Sequence, residues 1–181
     1  CAPCMIPVVE ALSGEGLSPV LCYFHNPNIH PLKEHRRRLA AVREYCASQG
    51  LTLIEDGGEE DAYPLESNLR MLLAADNRCA ACFAERLDAT ALKAAELGVP
   101  CFSTTLLVSP YQNQELIRRA GEAASGRSGV SFLMHDFRSL YRSSVRRSRE
   151  LGMYRQAYCG CVMSERDRYM GLRSPGQEGS H

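Results

Sequence analysis

Nine cysteines in 181 residues could do chemistry, and six of them come in close pairs: Cys1 and Cys4 in C-A-P-C, Cys79 and Cys82 in C-A-A-C, Cys159 and Cys161 in C-G-C. A C-x-x-C lets two thiolates converge on one metal across a turn, and four thiolates suit zinc or an iron-sulfur cluster. Spacing alone leaves those two metals level. A thioredoxin-type redox role fits neither C-x-x-C pair, because neither is expected in the strand-to-helix context of that fold. The C-G-C pair differs in kind: thiols at i and i+2 close a disulfide only in a tight ring, and strained bridges are the reducible ones. Gly160 is expected to supply the backbone freedom for such a ring. Because two C-x-x-C pairs already provide four ligands, Cys159 and Cys161 read as ligands of a second metal or as a dithiol delivering two electrons. Cys22, Cys46 and Cys101 stand alone within apolar segments and read as small core hydrophobes.

The elements that must position these thiols alternate helix and strand. Helical periodicity is expected over residues 7–12, 32–48, 64–75, 82–97, 113–124 and 139–151, and short apolar strands over 18–24, 51–54, 99–103 and 130–134. Strands separated by helices of this length indicate βαβ units, a mainly parallel sheet and a three-layer α/β/α domain. In such sheets ligands sit beyond the carboxyl ends of the strands. There the sequence places His25-Asn26-Pro27-Asn28, Asp56, Thr104-Thr105 and His135-Asp136. A further strand is expected ahead of Cys1, bringing Cys1 and Cys4 to another carboxyl end. A single domain is expected over 1–163, with a polar tail over 164–181 that frays.

Composition narrows the class. With 45% hydrophobic and 23% charged residues the chain can bury a core. No apolar run approaches the roughly 20 residues of a membrane span. The nine cysteines fall short of a disulfide scaffold, which runs to about 8–10% of a chain. Net charge is zero but uneven: up to His135 there are 12 basic and 16 acidic residues, and from Asp136 onward 9 basic and 5 acidic. Arg138, Arg142, Arg146 and Arg149 share one helix face, and Arg36 to Arg38 with Arg43 form a second basic patch. Nineteen of the 21 basic residues are Arg, the side chain that forks onto phosphate and stacks on bases.

Several segments together resemble the iron-sulfur epoxyqueuosine reductases of the QueH type: CAPC, FHNPNIHP with Glu34 and the Arg run behind it, RCAACF, FSTTLLVSPYQN, and above all YRQAYCGCVMS. The resemblance runs in order over nearly the whole chain up to Ser164. It implies a fold like the adenine nucleotide alpha hydrolases, of the HUP or Rossmann-like kind. It implies the last step of queuosine formation, two-electron removal of the epoxide oxygen from epoxyqueuosine at the tRNA wobble position. It also implies a cytoplasmic oxidoreductase with a [4Fe-4S] cluster, an adjacent iron ion, a tRNA substrate and an unidentified electron donor. No membrane partner is implied.

Carried over by position, Cys79 and Cys82 match the family's C-x-x-C ligands, and Cys1 matches the second Cys of its N-terminal pair. The first Cys of that pair has no counterpart here, so Cys4 is the candidate for the remaining ligand. Cys159 and Cys161 match the family's C-x-C, as a redox-active disulfide-forming pair or as metal ligands. Nucleotide-hydrolase activity is not carried over, because neither an S-G-G-x-D-S loop nor a G-x-x-x-x-G-K-[ST] loop occurs.

Deoxygenating an epoxide needs two electrons and two protons. His25, His30, His135 and Asp136 are candidate proton donors, with His25 and Asp136 placed first. Asn26, Asn28, Thr104, Thr105 and Ser109 are candidate partners of the substrate's hydroxyls or phosphate, and Arg142, Arg146 and Arg155 of the tRNA backbone. Tyr111, Tyr141, Tyr154 and Tyr158 could stack a splayed base. The alternative from another class is a zinc-stapled RNA-binding module without catalysis. A weaker third reading is a nucleotide-hydrolase relative.

Overall fold

The computed structural model describes residues 2–56 and 64–172. Seven helices and four short strands are defined there: α1 (Ala2–Gly14), β1 (Leu21–Phe24), α2 (Leu32–Gln49), β2 (Thr52–Glu55), α3 (Leu65–Ala74), α4 (Arg78–Glu96), β3 (Cys101–Phe102), α5 (Gln114–Ser128), β4 (Ser131–Phe132), α6 (Tyr141–Glu150) and α7 (Val162–Tyr169). All four strands lie where hydrophobic runs predict them, and both pairings are parallel, as an α/β chain requires. β1 pairs with β2 from Leu21 opposite Thr52 to Phe24 opposite Glu55, and β3 pairs with β4. Two two-stranded sheets result, where one continuous sheet is expected. The molecule is an α/β fold with more helix than strand.

Each sheet has its own core. Cys22 and Phe24 of β1 pack with Ala41, Val42, Tyr45 and Cys46 of α2, whereas Phe102 of β3 packs with Phe83 and Leu87 of α4 and Ile117 of α5. α1 joins them, sending Met5 and Ile6 into the first cluster and Val8 and Leu12 into the second. Phe83, Leu87, Leu107 and Ile117 are essentially inaccessible. Each such side chain contributes about 1.5–3 kcal/mol of transfer free energy. Gly121 of α5 lies so close to Phe132 of β4 that any side chain there would collide with the ring. Cys22 and Cys46 are buried and Cys101 is half-buried, as core thiols should be.

A cavity of about 490 Å³ separates the sheets, with β1 on one wall and residues Pro100 to Phe102 on the other. Met5, Val8 and Leu12 of α1 line its apolar body, and His25, Asn26, Arg86, Thr104 and Thr105 line its polar end. That end coincides with the carboxyl ends of β1 and β3, where loops carry the polar residues of this fold class.

The chain beyond Ser164 departs from the expected frayed tail. α7 continues to Tyr169, with Ser164 and Asp167 buried. Two interactions explain it. The Cys161 sulfur accepts the Ser164 backbone N–H at 3.3 Å and so caps the helix, and Arg78 ion-pairs with Asp167 from α4. Polarity in this segment therefore marks caps and a buried pair rather than solvation. Residues 173–181 lie outside the described residues.

Candidate active site

α4 begins at Arg78, earlier than periodicity alone predicts, because Asn77 caps it: its side-chain oxygen accepts from the backbone N–H groups of Cys79 and Ala80, both at 3.1 Å. Cys79 therefore occupies the first turn of a helix, and Cys82 follows at the start of the second. Cys4 likewise falls in the first turn of α1. Cys79 and Cys4 are half-buried, and Cys82 is buried. Cys1 lies outside the described residues.

The C-G-C loop lies within electrostatic reach of Cys4 and Cys82. Crowding by protein raises the Cys159 thiol pKa, with Arg86 opposing and Cys161 reinforcing the shift. Cys82 is pushed up to about 12, chiefly by burial, with Arg86 opposing and Cys159, Cys161 and Glu85 adding to the rise. Cys4 is likewise raised by burial and senses Cys159 and Arg38. Cys4, Cys82, Cys159 and Cys161 thus share one electrostatic neighbourhood. All eight described cysteines are free thiols. Among the described residues no three His, Cys, Asp or Glu side chains are already spaced to hold an ion. Soft thiol donors in a crowded neighbourhood nonetheless match iron-sulfur ligation in chemical type.

Gly160 serves differently from the expectation. Its φ lies outside the left-handed region. What excludes a side chain is close approach: a Cβ would come 2.9 Å from Asn28 Nδ2 and 3.3 Å from Ile29 Cγ1. The NPNIHP loop thus forms the bed of C-G-C, and His30 N–H donates to the Gly160 carbonyl at 2.9 Å. Tyr158 O–H donates to the His30 carbonyl at 2.6 Å, and Val162 N–H donates to His30 Nδ1 at 3.3 Å. Asn28 is buried beneath this loop instead of facing an open surface.

His25, at the end of β1, is gripped from two sides. Its Nδ1 meets Asp56 beyond β2, and its Nε2 is 2.7 Å from Glu85 Oε1 of α4. Burial lowers the imidazole pKa, but the hydrogen bonds and charges of Glu85 and Asp56 outweigh it, so the net shift is upward. The ring is stacked on Tyr23 at 5.9 Å. Beside it Arg86 donates to Asn26 Oδ1 at 2.9 Å.

Other candidates are occupied locally. Thr104 Oγ1 accepts the Leu106 N–H, capping a 3-10 turn (Thr105–Val108), and Ser109 Oγ accepts the Tyr111 N–H. Asp136 accepts from the backbone and guanidinium of Arg138, and His135 sits 3.4 Å from Glu15. Arg142, Arg146 and Arg155 are exposed, and Arg146 is 4.0 Å from Glu150. Tyr111 and Tyr141 meet edge to face at 5.9 Å.

The second basic patch is smaller than the sequence suggests. Arg43 forms two bonds to Glu55, and Arg38 is only 2% exposed and turned inward. Arg36 and Arg37 remain at the surface, with Arg37 over the Tyr154 ring. Residue type alone missed Arg38, Glu85, Arg78 and Asp167. Arg38 was within reach of pattern, since it shares the apolar face of α2 with His35, Val42 and Tyr45 and stands at i+4 from Glu34.

The family described as "Epoxyqueuosine reductase QueH" matches residues 1–167. Curated relatives named Epoxyqueuosine reductase QueH include one from Dehalococcoides mccartyi, 38% identical over 97% of this chain and 94% of the relative. Another from Thermotoga maritima is 38% identical over 81% of this chain and 79% of its own length. One from Streptococcus pyogenes is 36% identical over 90% of this chain and 66% of its own length. Cys4, Cys79 and Cys82 near two helix starts, in the electrostatic neighbourhood of a C-G-C loop, and this similarity along almost the whole chain lead to one assignment: the chain belongs to the epoxyqueuosine reductase QueH family.

Proposed function

We propose that this protein reduces epoxyqueuosine to queuosine at the wobble position of cytoplasmic tRNA. The observation that carries the reading is the seating of the C-G-C loop on the NPNIHP loop within the electrostatic neighbourhood of Cys4 and Cys82, in a chain of this family. In the overall reaction both epoxide C–O bonds break, a C=C bond forms, and the oxygen leaves as water, taking up two electrons from an external donor and two protons.

Cys79, Cys82, Cys4 and Cys1 are the candidate ligands of an iron-sulfur cluster. Such a cluster would supply electrons one at a time. Cys159 and Cys161 complement it as a two-electron dithiol or as ligands of an adjacent iron. His25, whose affinity for a proton is raised by Glu85 and Asp56 at the polar end of the cavity, is placed to hold or donate a proton near the substrate. Asn26, Thr104 and Thr105 line the same end and offer polar groups to the cyclopentane hydroxyls. Asn28 and Ser109 support their loops, and Asp136 is a more distant proton candidate. Arg142, Arg146 and Arg155 face solvent, where the tRNA backbone can reach them. The two parallel strand pairs, with polar residues at the carboxyl ends of β1 and β3, support an adenine nucleotide alpha hydrolase-like arrangement of the HUP or Rossmann-like kind.

The test is anaerobic preparation, metal and sulfide analysis, and a nucleoside assay on tRNA carrying epoxyqueuosine. Conversion to queuosine with a competent reductant supports the reading, and persistence of the epoxide overturns it. A colourless protein holding zinc would favour the RNA-binding alternative.

A further inference from the structure

A buried arginine on a helix's apolar face needs a reason. Removing a guanidinium from water costs several kcal/mol unless its donors are matched. Arg38 is matched on every side: Nε donates to Glu34 Oε1 at 2.7 Å, Nη1 to the Cys159 carbonyl at 2.7 Å, and Nη2 to the Tyr158 carbonyl at 3.2 Å. Its guanidinium also lies 5.2 Å from the centre of the Tyr158 ring. The loop it grips has no helix or strand to satisfy its backbone. Those two carbonyls therefore depend on Arg38 for their partners.

Glu34 extends the grip. Its second oxygen accepts from Tyr154 O–H at 2.7 Å, so one carboxylate ties the start of the loop to the arginine that holds its middle. The far side is fixed by His30 N–H on the Gly160 carbonyl and by Ser164 Oγ, which accepts the Gly160 N–H at 3.2 Å. Arg38 binds two consecutive carbonyls of the loop through one rigid guanidinium and places positive charge next to Cys159.

We propose that Arg38 is a positioning residue for the Cys159/Cys161 pair: it fixes the backbone at Tyr158 and Cys159, and Glu34 carries that restraint to Tyr154. The proposal rests on the reading that these two thiols take part in the reductase reaction. Lys cannot replace Arg38 fully, because an ammonium is a point charge without the planar fork that reaches two carbonyls and Glu34 together.

The experiment uses the anaerobically purified full chain with Arg38→Gln, Arg38→Lys, Tyr154→Phe and, as a surface control, Arg127→Gln. Three quantities are read: kcat and KM on epoxyqueuosine tRNA, amide hydrogen exchange over 158–161, and the ratio of Cys159 to Cys161 alkylation by iodoacetamide. Arg38→Gln should lower kcat by about a hundredfold with KM within about twofold, as a displaced reacting group does. It should also speed exchange over 158–161 and narrow the alkylation ratio, since Cys159 is exposed and Cys161 half-buried only while the loop is held. Arg38→Lys should recover part of kcat, and Tyr154→Phe should quicken exchange at the start of the loop in a chain that folds normally. Unchanged kcat, exchange and alkylation in folded Arg38→Gln would overturn the proposal. So would a lost kcat accompanied by unchanged exchange and alkylation. If the wild-type chain itself gives no turnover, the proposed function fails, while exchange and alkylation still decide whether Arg38 holds the loop.

Discussion

Arg78, the residue before Cys79, is ion-paired with Asp167 of α7, a short way beyond Cys161. The pair joins the helix that presents C-A-A-C to the helix that follows C-G-C, so two thiol motifs far apart in sequence are braced by one contact. Asp167 is 2% exposed and also receives Arg166 at 2.8 Å. A carboxylate so buried is costly to strand and costly to remove, because either change leaves a cation short of its partner.

Asp167→Ala should therefore destabilise the protein by about 3 kcal/mol. Urea denaturation should show a lower midpoint at unchanged slope. Hydrogen exchange should show α7 opening before the rest. A midpoint within error of wild type would mean that the pair is dispensable.

His25 makes stability depend on pH with a defined sign. Its folded pKa is raised above the ordinary 6.5: burial lowers it, but Glu85 and Asp56 together outweigh that effect. The charged interaction therefore stabilises fully below pH 6.5 and is lost as pH rises through the folded value. Glu85→Gln should cost about 1–2 kcal/mol between about pH 5 and 6.5, and the cost should fade in alkali. Denaturation midpoints at several pH values read this directly, and a cost constant with pH would contradict the ionic account.

Legibility followed the range of the interaction involved. β1, β2 and α2 were readable because hydrophobic period and the Gly50 stop are local signals, and Gly50 does cap α2 in the left-handed conformation. The start of α4 was misjudged because its signal is a single Asn77 cap, which apolar period does not register. α7 was missed for a related reason: its cap is a thiol and its anchor is Arg78, distant in sequence. Within the site, residue type and spacing singled out the thiols and His25. The pairing of Arg38 with the Tyr158 and Cys159 carbonyls spans about 120 positions and leaves no mark on local composition. Arg36, Arg37 and Arg38 look alike in sequence. Only the helix phase tells that the third points inward.

The roles of the thiols separate by metal content. If Cys79 and Cys82 ligate the proposed cluster, Cys79→Ser and Cys82→Ser should each lower iron and sulfide in anaerobically prepared protein, because a serine oxygen is a harder donor than the thiolate it replaces. Cys161→Ser should abolish turnover while leaving iron nearly unchanged if the C-G-C pair is a dithiol. Its Ser164 N–H contact is a helix cap that a serine hydroxyl can also accept, so the substitution should leave the site folded. Iron lost in Cys161→Ser would instead assign the residue as a ligand.

The Arg face of α6 carries the last prediction. Ser144 and Ser148 form the buried side of this helix, and Ser144 Oγ donates to the Pro3 carbonyl at 2.6 Å. The helix is thereby fixed against α1, with Arg142, Arg146 and Arg149 exposed. Exposed ion pairs such as those of Arg146 and Arg147 with Glu150 are worth little, so these cations can exchange their partner for phosphate. Arg142→Ala with Arg146→Ala should weaken tRNA binding without altering iron content. The slope of log K against log salt should become shallower by about 1.5 to 2, the value for two lost phosphate contacts. Equal slopes for the double variant and wild type, measured by filter binding across a salt series, would mean that α6 presents an ordinary solvated face and that the tRNA lies elsewhere.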